Sequence, residues 1–137
     1  MANYDFSTLN DRDLEELTRD LLSKVLNVNF QSFKPGKDKG IDLRYSTVND
    51  ENEIVVQVKH YLGSDISKLK LDLSNNETQK VVTLKPKRYI FCTSLPLSPQ
   101  DKEDIKNIFN PYIHSTSDVI GKEDLNSTIT TFSSSWK

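Results

Sequence analysis

Asp42, Gln57 and Lys59 are the residues whose types and spacing could carry a reaction. Asp42 lies between Ile41 and Leu43, and Gln57 and Lys59 alternate with Val56 and Val58 in the run Ile54–Tyr61. In an extended strand successive side chains point to opposite faces. Asp42 then points away from Ile41 and Leu43, and Gln57 and Lys59 share the face opposite Val56 and Val58. A hairpin joining the two segments would bring a carboxylate, an amide oxygen and an ammonium group to one patch. Such a patch has what phosphodiester hydrolysis needs: two oxygen ligands for Mg²⁺ and a lysine that orients or activates the attacking water. A metal there neutralises phosphate charge and lowers the pKa of its bound water. Each residue alone is commonplace; the signal lies in their order and shared facing.

The elements that must position these groups are set by apolar periodicity and by caps. Residues 10–26 form a helix with Asn10 as N-cap, Asp11 and Asp13 in the first turn, and an apolar face of Leu14, Leu17, Leu21, Leu22, Val25 and Leu26. At about 100° per residue, Glu15 falls inside that apolar arc and Glu16 nearly opposite its centre. A carboxylate on the inward side needs a partner, a metal or a lysine, unless it sits at the flank and reaches water. Glu15 is thus a fourth candidate.

Asn27–Phe33 reads as a first strand and Lys34-Pro35-Gly36-Lys37 as a turn. Ile41–Tyr45 and Glu53–Tyr61 are the two central strands, joined by the polar stretch Val48–Asn52. Ile66, Leu69 and Leu73 are spaced for a second helix that runs past Thr78. Arg88–Thr93 suits an interior strand, Ser98 and Pro99 open a third helix through about Phe109, and Tyr112–Ser115 forms a last short strand. The chain from Ser127 is rich in Ser and Thr and is expected to be loose. The order predicts an α/β sandwich around a mixed sheet.

The 137 residues suit one domain, here 1–126, followed by a tail or linker at 127–137. Apolar residues at 35% and charged ones at 28% indicate a soluble, folded chain. No apolar run approaches the roughly 20 residues of a membrane span, and the N-terminus lacks the plan of a signal peptide. A single cysteine, Cys92, excludes an internal disulfide and a thiolate zinc site. The cytoplasm is the simplest compartment. The net charge of −2 argues against a nucleic-acid coat protein but not against an enzyme acting on DNA. Basic residues bunch at Lys34, Lys37, Lys39 and Arg44, and again at Lys80, Lys85, Lys87 and Arg88; a solvated surface is the plainer reading of both.

DLEELTRDLL (13–22), DKGIDLR (38–44) and IVVQVKHY (54–61) together resemble the Mrr-like branch of the PD-(D/E)XK nuclease superfamily. The resemblance implies a restriction-endonuclease-like three-layer sandwich: a mixed sheet of about five strands between helices. Residue by residue, it gives Glu15 the place of the helix glutamate, Asp42 the metal-binding aspartate, Gln57 the variant metal-site position and Lys59 the catalytic lysine. The backbone carbonyl of Val58 would complete the metal shell. Gln57 stands where an acid is commoner, which lowers the negative charge of the site. RYIFCTSLPLS (88–98) and DVIGKEDLN (118–126) are similar to the nuclease domain at the N-terminus of bacterial antiviral STAND ATPases, where it is the effector.

The activity implied by the resemblance is that of a Mg²⁺-dependent endonuclease on double-stranded DNA, with Mn²⁺ as substitute. A homodimer or higher oligomer is implied too, with a fused or separate ATPase or sensor region. No GK[ST] phosphate loop occurs in these residues. Asp38 and His60 are accessory candidates: Asp38 for a second metal or water, though a loop-surface role suits it better, and His60 with a structural role as the plainer reading. His114 and Cys92 read as structural, and Tyr61 as near substrate or framework. The competing functions are a decayed nuclease-like module that only binds nucleic acid or a partner, and a structural dimerisation module. An intact Lys59 favours the enzyme.

Overall fold

The computed structural model describes residues 9–33, 42–60 and 65–135, with side chains as far as 129. Asn10 caps the first helix, α1 (Asp11–Leu26), through a capping box with Asp13. Its side-chain oxygen takes the Asp13 amide at 2.7 Å while the Asp13 carboxylate takes the Asn10 amide. Asn27 ends the helix in the left-handed region at φ 55°. The buried stripe is Leu14, Thr18, Leu21 and Leu22. Val25, expected within it, is 53% exposed, while Leu26 in the same turn packs against the core.

Three strands follow: β1 (Gln31–Ser32), β2 (Leu43–Tyr45) and β3 (Ile54–Lys59). The first is much shorter than the expected Asn27–Phe33, since Asn27 caps α1 and only Gln31 and Ser32 pair with β2. The proposed turn at Lys34–Lys37 lies outside the described residues, as do Asp38, Ile41, Tyr61 and Trp136. A long helical segment then packs back on the sheet: α2 (Ile66–Asp72), a π-helical turn (Leu73–Glu77) and α3 (Thr78–Leu84). β4 (Arg88–Thr93), α4 (Pro99–Ile108), a 3₁₀ turn (Thr116–Asp118), β5 (Val119–Ile120) and α5 (Lys122–Ser135) complete the chain.

The sheet has five strands in the order β1-β2-β3-β4-β5. β1, β2 and β3 form an antiparallel meander, and β4 and β5 add in parallel. This is the expected mixed α/β sandwich. The last strand is Val119–Ile120, not Tyr112–Ser115. The Tyr112 carbonyl accepts the Tyr89 amide at 3.1 Å, but that single bond does not become a ladder. His114 is exposed there. The segment from Ser127, expected to be loose, is helical to Ser135 as part of α5.

β3 and β4 are buried on both faces, as suits strands with parallel pairing and helices on either side. One face, with Ile54, Val56, Val58, Ile90 and Cys92, packs against Leu14, Leu21 and Leu22 of α1 and Leu125 of α5. The other, with Val55, Tyr89 and Phe91, packs against Leu69, Leu73 and Val81 of the α2–α3 segment and Ile105 and Phe109 at α4. No helix is long and apolar enough to cross a membrane among the described residues.

Candidate active site

β3 outruns β2. Pairing between them covers Ile54, Val55 and Val56 against Tyr45, Arg44 and Leu43, whereas β4 pairs with β3 through Lys59. Gln57, Val58 and Lys59 are the part of β3 that continues after β2 has ended. The parting is visible in the bonds: Val56 has Leu43 as its Cα partner, yet its carbonyl takes the amide of Asp42 at 3.3 Å. The Asp42 carboxylate then reaches across, and its Oδ2 accepts the Val58 amide at 2.7 Å. Val58's carbonyl faces the same side of β3 as its amide, toward Asp42, because a residue's N–H and C=O point the same way along a strand edge.

Gln57 and Lys59 share the face that carries Val55, under the α2–α3 segment. Gln57 is buried, and its side-chain oxygen has no hydrogen-bond donor. A buried amide oxygen without a donor costs free energy and is satisfied by a water or a cation. Lys59 places Nζ 2.9 Å from Oε1 of Glu77, which is itself buried, and 4.0 Å from Oδ2 of Asp72. Burial is the largest single influence on the Lys59 pKa and lowers it. The hydrogen bond to Glu77 and the charges of Glu77, Asp72 and Asp42 outweigh it, leaving the ammonium above its ordinary range. The phenol of Tyr89, fully buried beside these groups, is pushed well up by burial and then by the charges of Glu77 and Asp42.

Glu77, Asp72 and Tyr89 were not found from the sequence. Glu77 ends the π-helical turn, and nothing in LSNNE announces that geometry. The row Leu69, Leu73, Glu77, Val81, with every member buried, was the available signal.

Glu15 and Glu16 part as the helical phase requires: the Glu15 side chain is 23% exposed and that of Glu16 49%. Glu15 pairs with Arg12 at 3.3 Å, and Arg12 also donates to the Phe33 carbonyl at 2.9 Å. α1 packs on the sheet face away from Gln57 and Lys59. Among the described residues no hydrogen bond or ion pair joins Glu15 to either. Both ring nitrogens of His60 are committed to protein atoms, Nδ1 to Ser94 Oγ at 2.9 Å and Nε2 to the Leu9 carbonyl at 2.7 Å. His60 thus ties the start of α1 to the end of β4. Cys92 is buried beside Thr18, and burial pushes its thiol up to about 12. The second basic bunch is largely neutralised: Lys87 lies near Asp50 and Glu53, and Arg88 makes two bonds to Asp118.

The described residues contain no group of three His, Cys, Asp or Glu side chains suited to a metal ion. The oxygens at the fork are instead of three kinds: the Asp42 carboxylate, the Gln57 amide and the Val58 carbonyl. Such a hard, all-oxygen set suits Mg²⁺ or Mn²⁺ rather than zinc. The unsatisfied Gln57 oxygen is the observation that makes a cation fit.

A match to a known family spans the elements that build this fork. Residues 6–108 match the restriction endonuclease family of Mrr catalytic domains. The chain belongs to that family, and its five-stranded mixed sheet between helices is the fold of restriction-endonuclease-like nucleases. Membership points to a nuclease, and domains of this type generally use divalent metals. The uncharacterized protein y4cD of Sinorhizobium fredii (strain NBRC 101917 / NGR234) is 41% identical over 123 residues, 90% of this chain. The chain spans only 19% of that relative's length. No solved structure matches the chain.

Proposed function

We propose that this domain is a metal-dependent DNA endonuclease whose working residues are Asp42, Gln57 and Lys59. The observation that carries the reading is the fork between β2 and β3. There the Asp42 carboxylate replaces a ladder carbonyl at Val58, and Gln57 and Lys59 stand on either side of Val58 along the strand. Asp42, Gln57 and the Val58 carbonyl would hold a divalent ion. When bound, that ion supplies charge neutralisation at the phosphate and a more acidic water. Asp42 contributes the anionic charge, and its bond to the Val58 amide fixes its direction. Lys59, held charged by Glu77, Asp72 and Asp42, donates hydrogen bonds to a phosphate oxygen and orients the attacking water; as an ammonium it serves as donor rather than base. Glu15 is kept as a supporting residue on the family resemblance, although α1 packs on the other face of the sheet and Glu15 pairs there with Arg12.

A duplex has two strands and one domain carries one site, so double-strand cleavage calls for self-association, most simply with two-fold symmetry. A wider role as the effector of an antiviral system, controlled by an ATPase or sensor region, rests on the resemblance to STAND effectors. The Sinorhizobium relative, which carries this stretch within a much longer chain, fits a domain used as one part of larger proteins.

The test is incubation of supercoiled plasmid with purified protein in Mg²⁺, Mn²⁺ or EDTA, at concentrations where sedimentation shows an oligomer. Nicking or linearisation with metal and none with EDTA is expected. A verified oligomer that leaves the plasmid intact with every divalent ion would refute the enzyme reading for this chain alone.

A further inference from the structure

Glu77 is 3% exposed and stands in a row with Leu69, Leu73 and Val81, all pressed on the sheet. In a regular α-helix each four-residue step overshoots a full turn by about 40°, so Val81 would have swung about 120° away from Leu69. The wider i→i+5 turn at Leu73–Glu77 takes up that drift and keeps the row facing the sheet. Position 77 is thus built as a core position, and it holds a carboxylate. An apolar residue of similar size would pack there without the desolvation cost, and replacing buried ion pairs in this way is often neutral or stabilising. Packing therefore does not account for Glu77. Its contacts do: Lys59 Nζ at 2.9 Å on one side, and Lys80 Nζ at 3.5 Å on the other. Lys59 also lies 4.0 Å from Asp72, one helical segment earlier. A lysine has a long, freely rotating stem, and here its end is fixed from the helix layer.

We propose that Glu77 is a positioning residue for Lys59, its carboxylate carried onto the sheet face by the π-helical turn so that the ammonium is held on the face Lys59 shares with Gln57. The proposal rests on the nuclease reading of that site. It gives the π-helical turn a purpose, since regular helical phase would take residue 77 off the row. Positioning matters because catalytic groups lose rate steeply when displaced by as little as about 1 Å.

The experiment is a kinetic cycle on duplex cleavage with Mn²⁺, using wild type, Glu77→Gln, Lys59→Ala and the double variant, each confirmed folded by circular dichroism. Glu77→Gln should lower kcat at least about 10-fold with KM for DNA unchanged, and should cost nothing more once Lys59 is alanine. A merely structural glutamate would act through folding or KM, or would lower the residual rate equally in the Lys59→Ala background. Either result would overturn the proposal, as would a Glu77→Gln enzyme with wild-type kcat. In spectra of ¹³C-labelled lysine, the Lys59 ε-methylene signals should be dispersed in the wild type and collapse toward those of exposed lysines in Glu77→Gln. Averaged Lys59 signals in the wild type would overturn the proposal without reference to activity. A wild type that never cleaves would instead strike the nuclease reading itself, so the two failures are told apart.

Discussion

The Asp42 carboxylate accepts the Val58 backbone amide at 2.7 Å, so a candidate metal ligand also stands in for a missing strand. β2 begins only at Leu43, and without Asp42 the amide of Val58 would lose the partner that the ladder does not supply there.

The two duties of Asp42 can be separated. Asn offers the same acceptor oxygen without the charge; Ala offers neither. Asp42→Asn, which keeps the acceptor at Val58, should unfold closer to wild type than Asp42→Ala does. Asp42→Ala should lose about 1–3 kcal/mol, the cost of an unsatisfied buried amide. Urea unfolding of both variants measures this, and equal stability would show that the bond contributes nothing.

Glu15 and Glu16 form a second controlled pair. They are adjacent, both contact Arg12, and differ in facing. Glu15→Ala should reduce cleavage several-fold, and Glu16→Ala should leave it nearly unchanged. Neither should shift stability by more than about 0.5 kcal/mol, as exposed ion pairs contribute little. Equal activity of the two variants would remove Glu15 from the site.

This facing was legible in the sequence because α1 is a long, regular helix whose apolar residues define one phase. The order of elements as far as α4, the Ser98 cap with Pro99 following, and Arg88–Thr93 as an interior strand were legible for the same reason: each has a local chemical signature. Glu77 was not, because a π-helical turn is set by packing over four helical turns and has no residue code. Val119–Ile120 was lost to Tyr112–Ser115 because a two-residue strand has too little alternation to read. Ser127–Ser135 was misread because Ser and Thr favour loops intrinsically, while Leu125 and Ile129 tie this helix to the core.

The α2–α4 contact should report on acid stability. Asp101 has its pKa lowered from 3.8, first by the hydrogen bond from Lys70 and then by the backbone at Ser98. A carboxylate with a depressed folded pKa stabilises the native state above its unfolded value, and that gain is lost as pH falls through the folded value. Lys70→Met should therefore flatten the fall in stability below about pH 4, and cost about 0.5–1 kcal/mol at neutral pH for a partly exposed pair. Unfolding midpoints measured between pH 2.5 and 7 check this; curves parallel to wild type would contradict it.

Cys92 offers a probe of core opening. With its thiol pushed up to about 12 and fully buried, it should resist alkylation at pH 8 in the native protein and react at once in urea. Labelling followed by mass spectrometry decides it, and rapid modification of the folded chain would show that the α1 layer opens readily.

The measurement that bears most directly on the central claim is the single-turnover cleavage rate of duplex DNA in Mn²⁺ for wild type, Asp42→Asn and Lys59→Ala, with EDTA as control. Wild type should cleave and EDTA should abolish the reaction. Both variants should fall at least about 100-fold while still binding DNA, as loss of a positioned electrostatic or acid–base group usually costs. Asp42→Asn cleaving at the wild-type rate, or wild-type cleavage that persists in EDTA, would contradict the assignment of this fork as a metal-dependent nuclease site.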